Sequence, residues 1–395
     1  MIEGLLHYTW IFIQLSIGYN LLLPLLLFVF YCAFKYVPTK ENESWEAGDY
    51  AIIVTAYQYT HHLQKTIDSI LNINSQNYLV YVVADNCSNV SNLHFNDSRV
   101  ILLKPETVLA SNTRSHLYAL NRFRRQHNRV TIIDSDNLVD AEFINELEHV
   151  FKMGFHAVQG LRSPKNLDTT YACLDAARDI YYHFYDGKVL FALGSSATLA
   201  GSGMAFTTTL YKSFLEKNDI KGAGFDKVLQ YEIVKQGFRI AYAEKAVVYD
   251  EKTAQTDQLV NQRSRWINTW FKYFSYGFRL IGSGVTSFNW NQTLFGIILL
   301  RPPLFLFLIF SVCFFSINVV IGSNFMFYWS AGLLCFIIGF ALALMSSNVD
   351  RRIYRSLVSI PKFIYYQVLS LVKLSNLNKQ PISTRHTHSS ELPVE

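Results

Sequence analysis

Two carboxylates flank one small residue in Asp134-Ser135-Asp136, directly behind the apolar run Val130–Ile133. Hard cations such as Mg²⁺ or Mn²⁺ take oxygen ligands and often share coordination with substrate phosphates, so this pair can hold one. A solvated turn is the other reading of the same three residues. Asp85 closes an earlier apolar run in Asp85-Asn86-Cys87-Ser88, where it can accept from a nucleobase N–H or simply form an Asx turn. Further on, Gly224-Phe225-Asp226 opens a helical pattern that runs to Gln236-Gly237. There Asp226 suits a general base or a helix N-cap. Gln262-Arg263-Ser264-Arg265-Trp266 then sets a cation beside an aromatic ring. Arg265 suits a leaving phosphate or a lipid head group, and Trp266 suits a sugar ring or a membrane interface. Neither GxGxxG nor GxxxxGK[ST] occurs, so the dinucleotide fold and the P-loop lose their main supports.

Such residues need a frame that brings them to one edge. Ala51–Thr55, Leu79–Ala84, Val100–Leu103 and Val130–Ile133 read as short buried strands, with helical stretches at His62–Leu71 and Ser111–Arg125. Strands alternating with helices predict an α/β fold with a mainly parallel sheet. Ligands bind such sheets beyond the carboxyl ends of the strands. Polar residues stand at those ends, in Thr55–Gln58, Asp85–Ser88 and Asp134–Asp136.

The ordered set of strand-TAYQ, strand-DN, strand-DSD, Gly201-Ser202-Gly203, Asp226 and QxxRW resembles the family 2 glycosyltransferases. It is most similar to their membrane-bound branch, which contains cellulose, chitin, hyaluronan and poly-N-acetylglucosamine synthases. The resemblance covers about residues 48–280. It implies a GT-A type sheet flanked by helices and an inverting hexosyl- or N-acetylhexosaminyltransferase that needs Mg²⁺ or Mn²⁺. The donor it implies is a nucleotide-sugar, a UDP-sugar by resemblance alone. Thr55, Ala56 and Tyr57 would then line the base and ribose, and Asp85 would read the uracil edge. Lys104 and Arg114 would lie near the donor, Asp134 on the ribose or metal side, and Asp136 on the metal. Gly201, Ser202 and Gly203 would form the loop at the acceptor end, with Asp226 as the base. Gln262, Arg265 and Trp266 would meet the diphosphate and the acceptor terminus. Two positions depart from the pattern: Gln58 replaces the usual acidic or Asn residue, and Phe225 replaces the Glu before the catalytic Asp.

Half of the 395 residues are hydrophobic and 16% are charged, against about 25% charged in soluble proteins. The apolar excess lies at the two ends. Trp10–Phe34 is long enough to cross a bilayer, and Leu294–Val320 and Phe325–Met345 add two spans. Arg301-Pro302-Pro303 is expected to kink the first of these near the interface. Lys35 and Lys40 follow the first span, and Arg351, Arg352, Arg355 and Lys362 follow the last. By the positive-inside rule the middle domain and the tail face the cytosol. The compact length and the lack of a cysteine framework point to a bacterial inner membrane. Trp266, Trp270, Phe271, Phe274 and Phe278, with Arg265, Lys272 and Arg279 between them, suit an interfacial helix. Ile353–Leu374, interrupted at Pro361, is similar; packing on the domain is the alternative for both.

The expected divisions are an anchor at 1–44, a GT-A domain at 45–260, a QxxRW segment at 261–292, two membrane helices at 293–346, and an amphipathic segment with a tail at 347–395. A net charge of +5 without a Lys/Arg block gives no nucleic-acid arm. Five cysteines without CxxC or zinc spacing read as small buried hydrophobes. His386 and His388 read as part of a solvated terminus.

Two enzymatic functions fit. One is a polysaccharide synthase, which with three spans would need an oligomer or an export partner to secrete its product. The other is a single addition to a lipid acceptor. A non-catalytic membrane scaffold predicts loss of the carboxylates, yet Asp85, Asp134, Asp136 and Asp226 are all present.

Overall fold

The computed structural model describes residues 2–34, 47–88, 93–253 and 256–372. Lys35, Lys40, His386 and His388 lie outside them. Eight strands form one mixed sheet: β1 (Tyr50–Tyr57), β2 (Tyr78–Asp85), β3 (Val100–Leu103), β4 (Arg129–Asp134), β5 (Leu138–Val139), β6 (Ala157–Pro164), β7 (Met204–Thr207) and β8 (Ile240–Asp250). Their order across the sheet is β3-β2-β1-β4-β7-β6-β8-β5. The half from β3 to β4 is parallel throughout. Its strands are near-continuous apolar runs because helices cover both faces; Ile52, Ile53, Val54, Val82, Ile132 and Ile133 are all buried.

The other half holds the antiparallel pairs of this mainly parallel sheet. β7 runs antiparallel to both β4 and β6, and β5 antiparallel to β8, while β6 and β8 are parallel. The β6–β8 register shifts at Gly160, where an added Cβ would lie 2.4 Å from the Ala246 carbonyl oxygen. Only glycine allows the two backbones that close.

The helices in chain order begin with α1 (Ile2–Ala33), α2 (Leu63–Leu71), α3 (Asn112–Leu120), α4 (Phe143–Phe151) and α5 (Thr170–Tyr182). A π-helical turn, His183–Val189, joins α5 to α6 (Leu190–Ala192). Then come α7 (Thr208–Lys217), α8 (Phe225–Lys235), α9 (Thr256–Tyr273), α10 (Ser275–Thr286), α11 (Trp290–Leu300), α12 (Leu304–Val320) and α13 (Phe325–Met345). α14 (Arg351–Ser356) and α15 (Ile360–Val372) close the described chain, with Pro361 tolerated in the first turn of α15.

α1 and α13 are each long and apolar enough to cross a membrane. The span expected at Leu294–Val320 is broken into α11 and α12, bent by 68°, and counts as a third only if the pair is one broken span. The kink expected at Arg301-Pro302-Pro303 is thus a full interruption. Two prolines remove consecutive N–H donors, and Arg301 turns inward to an ion pair with Asp186. α11 packs against α10 instead of joining the apolar bundle, with Gly277 close to the Gly296 carbonyl (2.7 Å from an added Cβ). In the bundle, Gln14 Oε1 accepts from Trp329 Nε1 at 2.8 Å and from Asn318 Nδ2 at 2.6 Å. Those bonds tie α1, α12 and α13 together where unpaired polar groups would be costly. On α9 and α10, Phe271, Phe278 and Val285 are exposed at seven-residue spacing beside Lys272 and Arg279. Of the residues expected on an interfacial helix, Phe271 and Phe278 are thus exposed, whereas Trp266, Trp270 and Phe274 line an internal cavity.

Candidate active site

Register alone collects the first polar residues. Thr55 lies opposite Asp134, and Tyr57 opposite Asp85, so three strand ends share one edge. Each strand turns sharply as it leaves the sheet, with Gln58 at φ 65° and Asn86 at φ 53°. Left-handed backbone at a non-glycine residue is strained, and such strain clusters at functional sites. The Gln58 N–H donates to the Asp85 carbonyl at 3.1 Å, locking the two turns together.

The DSD loop is fastened from three sides. Thr66 Oγ1 donates to the Ser135 carbonyl at 2.9 Å, and Lys165 Nζ to the Asp136 carbonyl at 3.1 Å. On the third side, the Asp134 N–H and Asn137 Nδ2 both donate to Ser202 Oγ, at 3.1 and 2.8 Å. Ser202 is therefore a fully buried pin between the DSD and GSG loops, rather than a residue exposed to an acceptor. Gly203 is buried behind it, with an added Cβ 2.9 Å from Val248. Gly201, at φ 89° and with open space where a Cβ would be, is the member of the trio that faces the cavity. Gln159, Arg162 and Gln230 hold this loop by its backbone, through Ala200 and Leu199.

Asp226 sits in the first turn of α8, where helix N–H groups favour a carboxylate. The N-cap is Gly224, at φ 101°, not Asp226. A Cβ on Gly224 would lie 2.6 Å from Tyr273 and 2.7 Å from Thr269, so glycine lets α9 close onto the start of α8. Phe225 is 6% exposed and packs edge-on against the buried His116 ring. A Glu at this position would have to be buried against an imidazole kept neutral, since burial lowers His116 to about 3.

A cavity of about 500 Å³ unites the distant motifs: Asp134, Asp136, Gly201, Asp226, Gln262, Arg265 and Trp266 all line it. Burial lowers the Arg265 guanidinium from its ordinary value, and the nearby Asp134 carboxylate opposes that shift. Gln262 Oε1 accepts from Thr253 Oγ1 at 2.9 Å. The Trp266 ring already carries two guanidinium groups, Arg263 at 4.1 Å and Arg178 at 4.3 Å. Its face is thus less open to a sugar than the sequence suggests, although the residue keeps 38% exposure.

Several expected donor residues lie outside this cavity lining. Thr55, Ala56 and Tyr57 follow the same sheet edge, and Asp85 is 2% exposed. Its carboxylate accepts from the Leu109 N–H at 3.0 Å and the Ala110 N–H at 2.7 Å, anchoring the loop before α3. Lys104 is exposed. Arg114 makes a two-pronged ion pair with Asp219, at 2.6 and 2.8 Å.

The sequence reading missed a charge network behind the cavity. Asp250 pairs with Arg162 and with Lys252 (2.6 Å); Lys252 also meets Asp179 at 2.5 Å. Arg178 joins Asp179 to Asp175 (3.1 Å), and Asp175 holds Arg263. Burial raises Asp175, whereas Arg178 and Lys252 outweigh burial and hold Asp179 well below the carboxylate range. His183 lines the same wall, and burial lowers it to about 4. Asp175, Arg178 and Asp179 are neighbours at i, i+3 and i+4 on α5, but their partners come from β6, the end of β8 and α9, so no single stretch of sequence marks the network.

Among the described residues no three His, Cys, Asp or Glu side chains gather to bind a metal by themselves. Asp134 and Asp136 supply oxygen only, on one loop of the cavity wall. That donor set fits a hard cation whose remaining ligands are phosphate oxygens and water.

A model of the family described as glycosyltransferase like family 2 matches residues 47–269. Among solved structures, the mannosyltransferase PcManGT from Pyrobaculum calidifontis, in complex with GDP-Man and Mn²⁺, is similar at a TM-score of 0.54 and 14% identity. That match covers 91% of this chain and 98% of the other, and at such identity the likeness is one of fold. S. aureus TarS 1–349 matches at a TM-score of 0.37 and 12% identity, over 64% of this chain and 89% of the other, too distant to carry an argument. No curated protein matches the chain by sequence.

Proposed function

We propose, from the premise that this chain belongs to the glycosyltransferase like family 2, that it is an inverting, metal-dependent transferase. It moves a sugar from a nucleotide-sugar to an acceptor hydroxyl at the cytosolic face of a bacterial inner membrane. The observation that carries the reading is one cavity walled by Asp134, Asp136, Asp226 and the Gln262–Trp266 segment.

Asp226 takes the acceptor proton, and Arg265 faces the charge that grows on the leaving diphosphate. A single base on the face opposite the leaving group gives one displacement, hence inversion. Asp136 with Asp134 would hold Mg²⁺ or Mn²⁺, which when bound neutralises charge on the diphosphate. Gly201 leaves room for the acceptor, while Ser202 and Gly203 set the loop that presents it. Thr55, Ala56, Tyr57 and Asp85 support the base and ribose from the adjoining sheet edge. A UDP-sugar is the first donor to try, and GDP-mannose, bound in the mannosyltransferase structure, the second.

For the acceptor, polysaccharide synthesis is the reading the family resemblance supports. Addition to a lipid is favoured by one observation: the cavity continues to an apolar wall at Pro302, Pro303 and Leu304. The test is nucleoside diphosphate release from membranes supplied with each donor and Mn²⁺ or Mg²⁺. Release with one donor, abolished by chelation and by Asp226→Asn, supports the transferase. Full activity in Asp226→Asn would remove Asp226 from the base role.

A further inference from the structure

Beyond Trp266 the cavity changes character. Its far wall is built by Ile298, Leu299, Pro302, Pro303 and Leu304, at the break between α11 and α12. No side chain in that wall can hydrogen-bond a saccharide hydroxyl. α12 then continues for 17 residues without a charge, so the wall leads directly into an apolar helix.

Between this wall and the catalytic end stand Arg178, Arg263 and Arg301, which are 7%, 2% and 6% exposed and all line the cavity. Each is ion-paired, to Asp175 and Asp179, to Asp175, and to Asp186 respectively. Each nevertheless retains buried N–H groups without an acceptor among the described residues: Arg178 Nε, Arg263 Nε and Nη1, and Arg301 Nη1. Two rings tie the three together. Trp266 carries Arg178 and Arg263, and Tyr182 lies 6.0 Å from Arg178 and 5.3 Å from Arg301. Buried donors are normally satisfied, and guanidinium groups that line one cavity and keep N–H groups to spare suit phosphate oxygens.

We propose that this end of the cavity binds a membrane phospholipid whose head group also carries a free hydroxyl, and that this lipid is the acceptor. Its phosphate meets Arg178, Arg263 and Arg301, its acyl chains run along Leu299 to Leu304, and its hydroxyl reaches toward Asp226. The hydroxyl oxygen bonds to C1 of the donor sugar as the bond from C1 to the diphosphate oxygen breaks. The electron pair leaves with the nucleoside diphosphate, and the hydroxyl proton passes to Asp226. The inference rests on the transferase reading above and adds the class of its acceptor.

The test uses the full chain in phosphatidylcholine vesicles with a phosphatidylglycerol bearing a photoreactive group in its acyl chain. Calorimetric binding of nucleoside diphosphate with Mn²⁺ reports the donor end separately. Labelling is expected on the peptide containing Leu299–Phe305, competed by unlabelled phosphatidylglycerol but not by diacylglycerol or by glycerol phosphate. Arg301→Lys keeps Asp186 paired yet removes the spare donor, and should weaken competition about tenfold. Leu299→Trp leaves every charge in place and should weaken it by blocking the chain. Equal competition by diacylglycerol would overturn the phosphate site. Competition by glycerol phosphate would reassign it to a soluble phosphate, and competition by an oligosaccharide to a glycan; either overturns the proposal. Absent labelling with nucleotide binding intact sinks this inference alone, whereas absent nucleotide binding in the unmodified chain sinks the transferase reading.

Discussion

Asp134, Asp136 and Asp226 stand half-exposed on a loop and a first helical turn at one end of the cavity. On its inner wall Asp175, Asp186 and Asp250 are buried, and each is paired with arginine or lysine. The side-chain type is the same, and the surroundings separate the roles. A half-exposed carboxylate keeps its hydration and can exchange it for a metal or a proton. A buried one persists only with a counter-charge, and removing one partner strands the other. The first set should therefore affect turnover and leave folding intact, and the second should do the reverse.

The largest effect expected from this contrast is on chemistry. Asp226→Asn should lower turnover by about 10²- to 10⁴-fold, as loss of a general base does, with an unchanged melting temperature. A large fall in melting temperature would place Asp226 with the structural aspartates. Next, Asp175→Ala should destabilise the fold by about 3–5 kcal/mol, measured by thermal or denaturant unfolding in detergent. Pairing it with Arg263→Met should recover part of that loss. A stable single variant would break the comparison.

Acid sharpens it further. Burial holds His183 at about 4 in the folded chain, below the ordinary 6.5, so the unfolded chain takes up the proton first as pH falls. Stability should then drop between about pH 6.5 and 4 by at most about 1.4 kcal/mol per unit, and no further below that. His183→Asn should flatten this part of the stability profile, and an unchanged slope would locate the titration elsewhere. The smallest effect is expected at Arg114, whose guanidinium pairs with Asp219 on the surface. Arg114→Ala should leave the KM for the nucleotide-sugar unchanged; a marked rise would bring Arg114 back to the donor.

Much of the frame was legible because it depends on local pattern. Short β-branched runs ending in polar residues located β1 to β4 to within a few residues, and uninterrupted apolar length located α1 and α13. Arg301-Pro302-Pro303 marked a kink within 294–320, but the full break was not legible, since it also draws Arg301 to Asp186, more than a hundred residues earlier. The buried place of Ser202 within its loop was hidden for a related reason. A GSG triplet says that the loop is small and bends sharply, but it cannot say which of its three residues faces inward.

Sequence by itself therefore determined the family, the parallel half of the sheet, the apolar helices and the order of the carboxylate and QxxRW motifs. Each of these is written in residue type and short spacing, which a chain carries wherever it folds. Tertiary structure decided that Asp136, Asp226 and Arg265 share one cavity, that Trp266 is clasped by two arginines, and that the far wall is apolar. Those facts depend on contacts between segments far apart in the chain, and on burial, which fixes whether a charge must be paired or can remain available for chemistry.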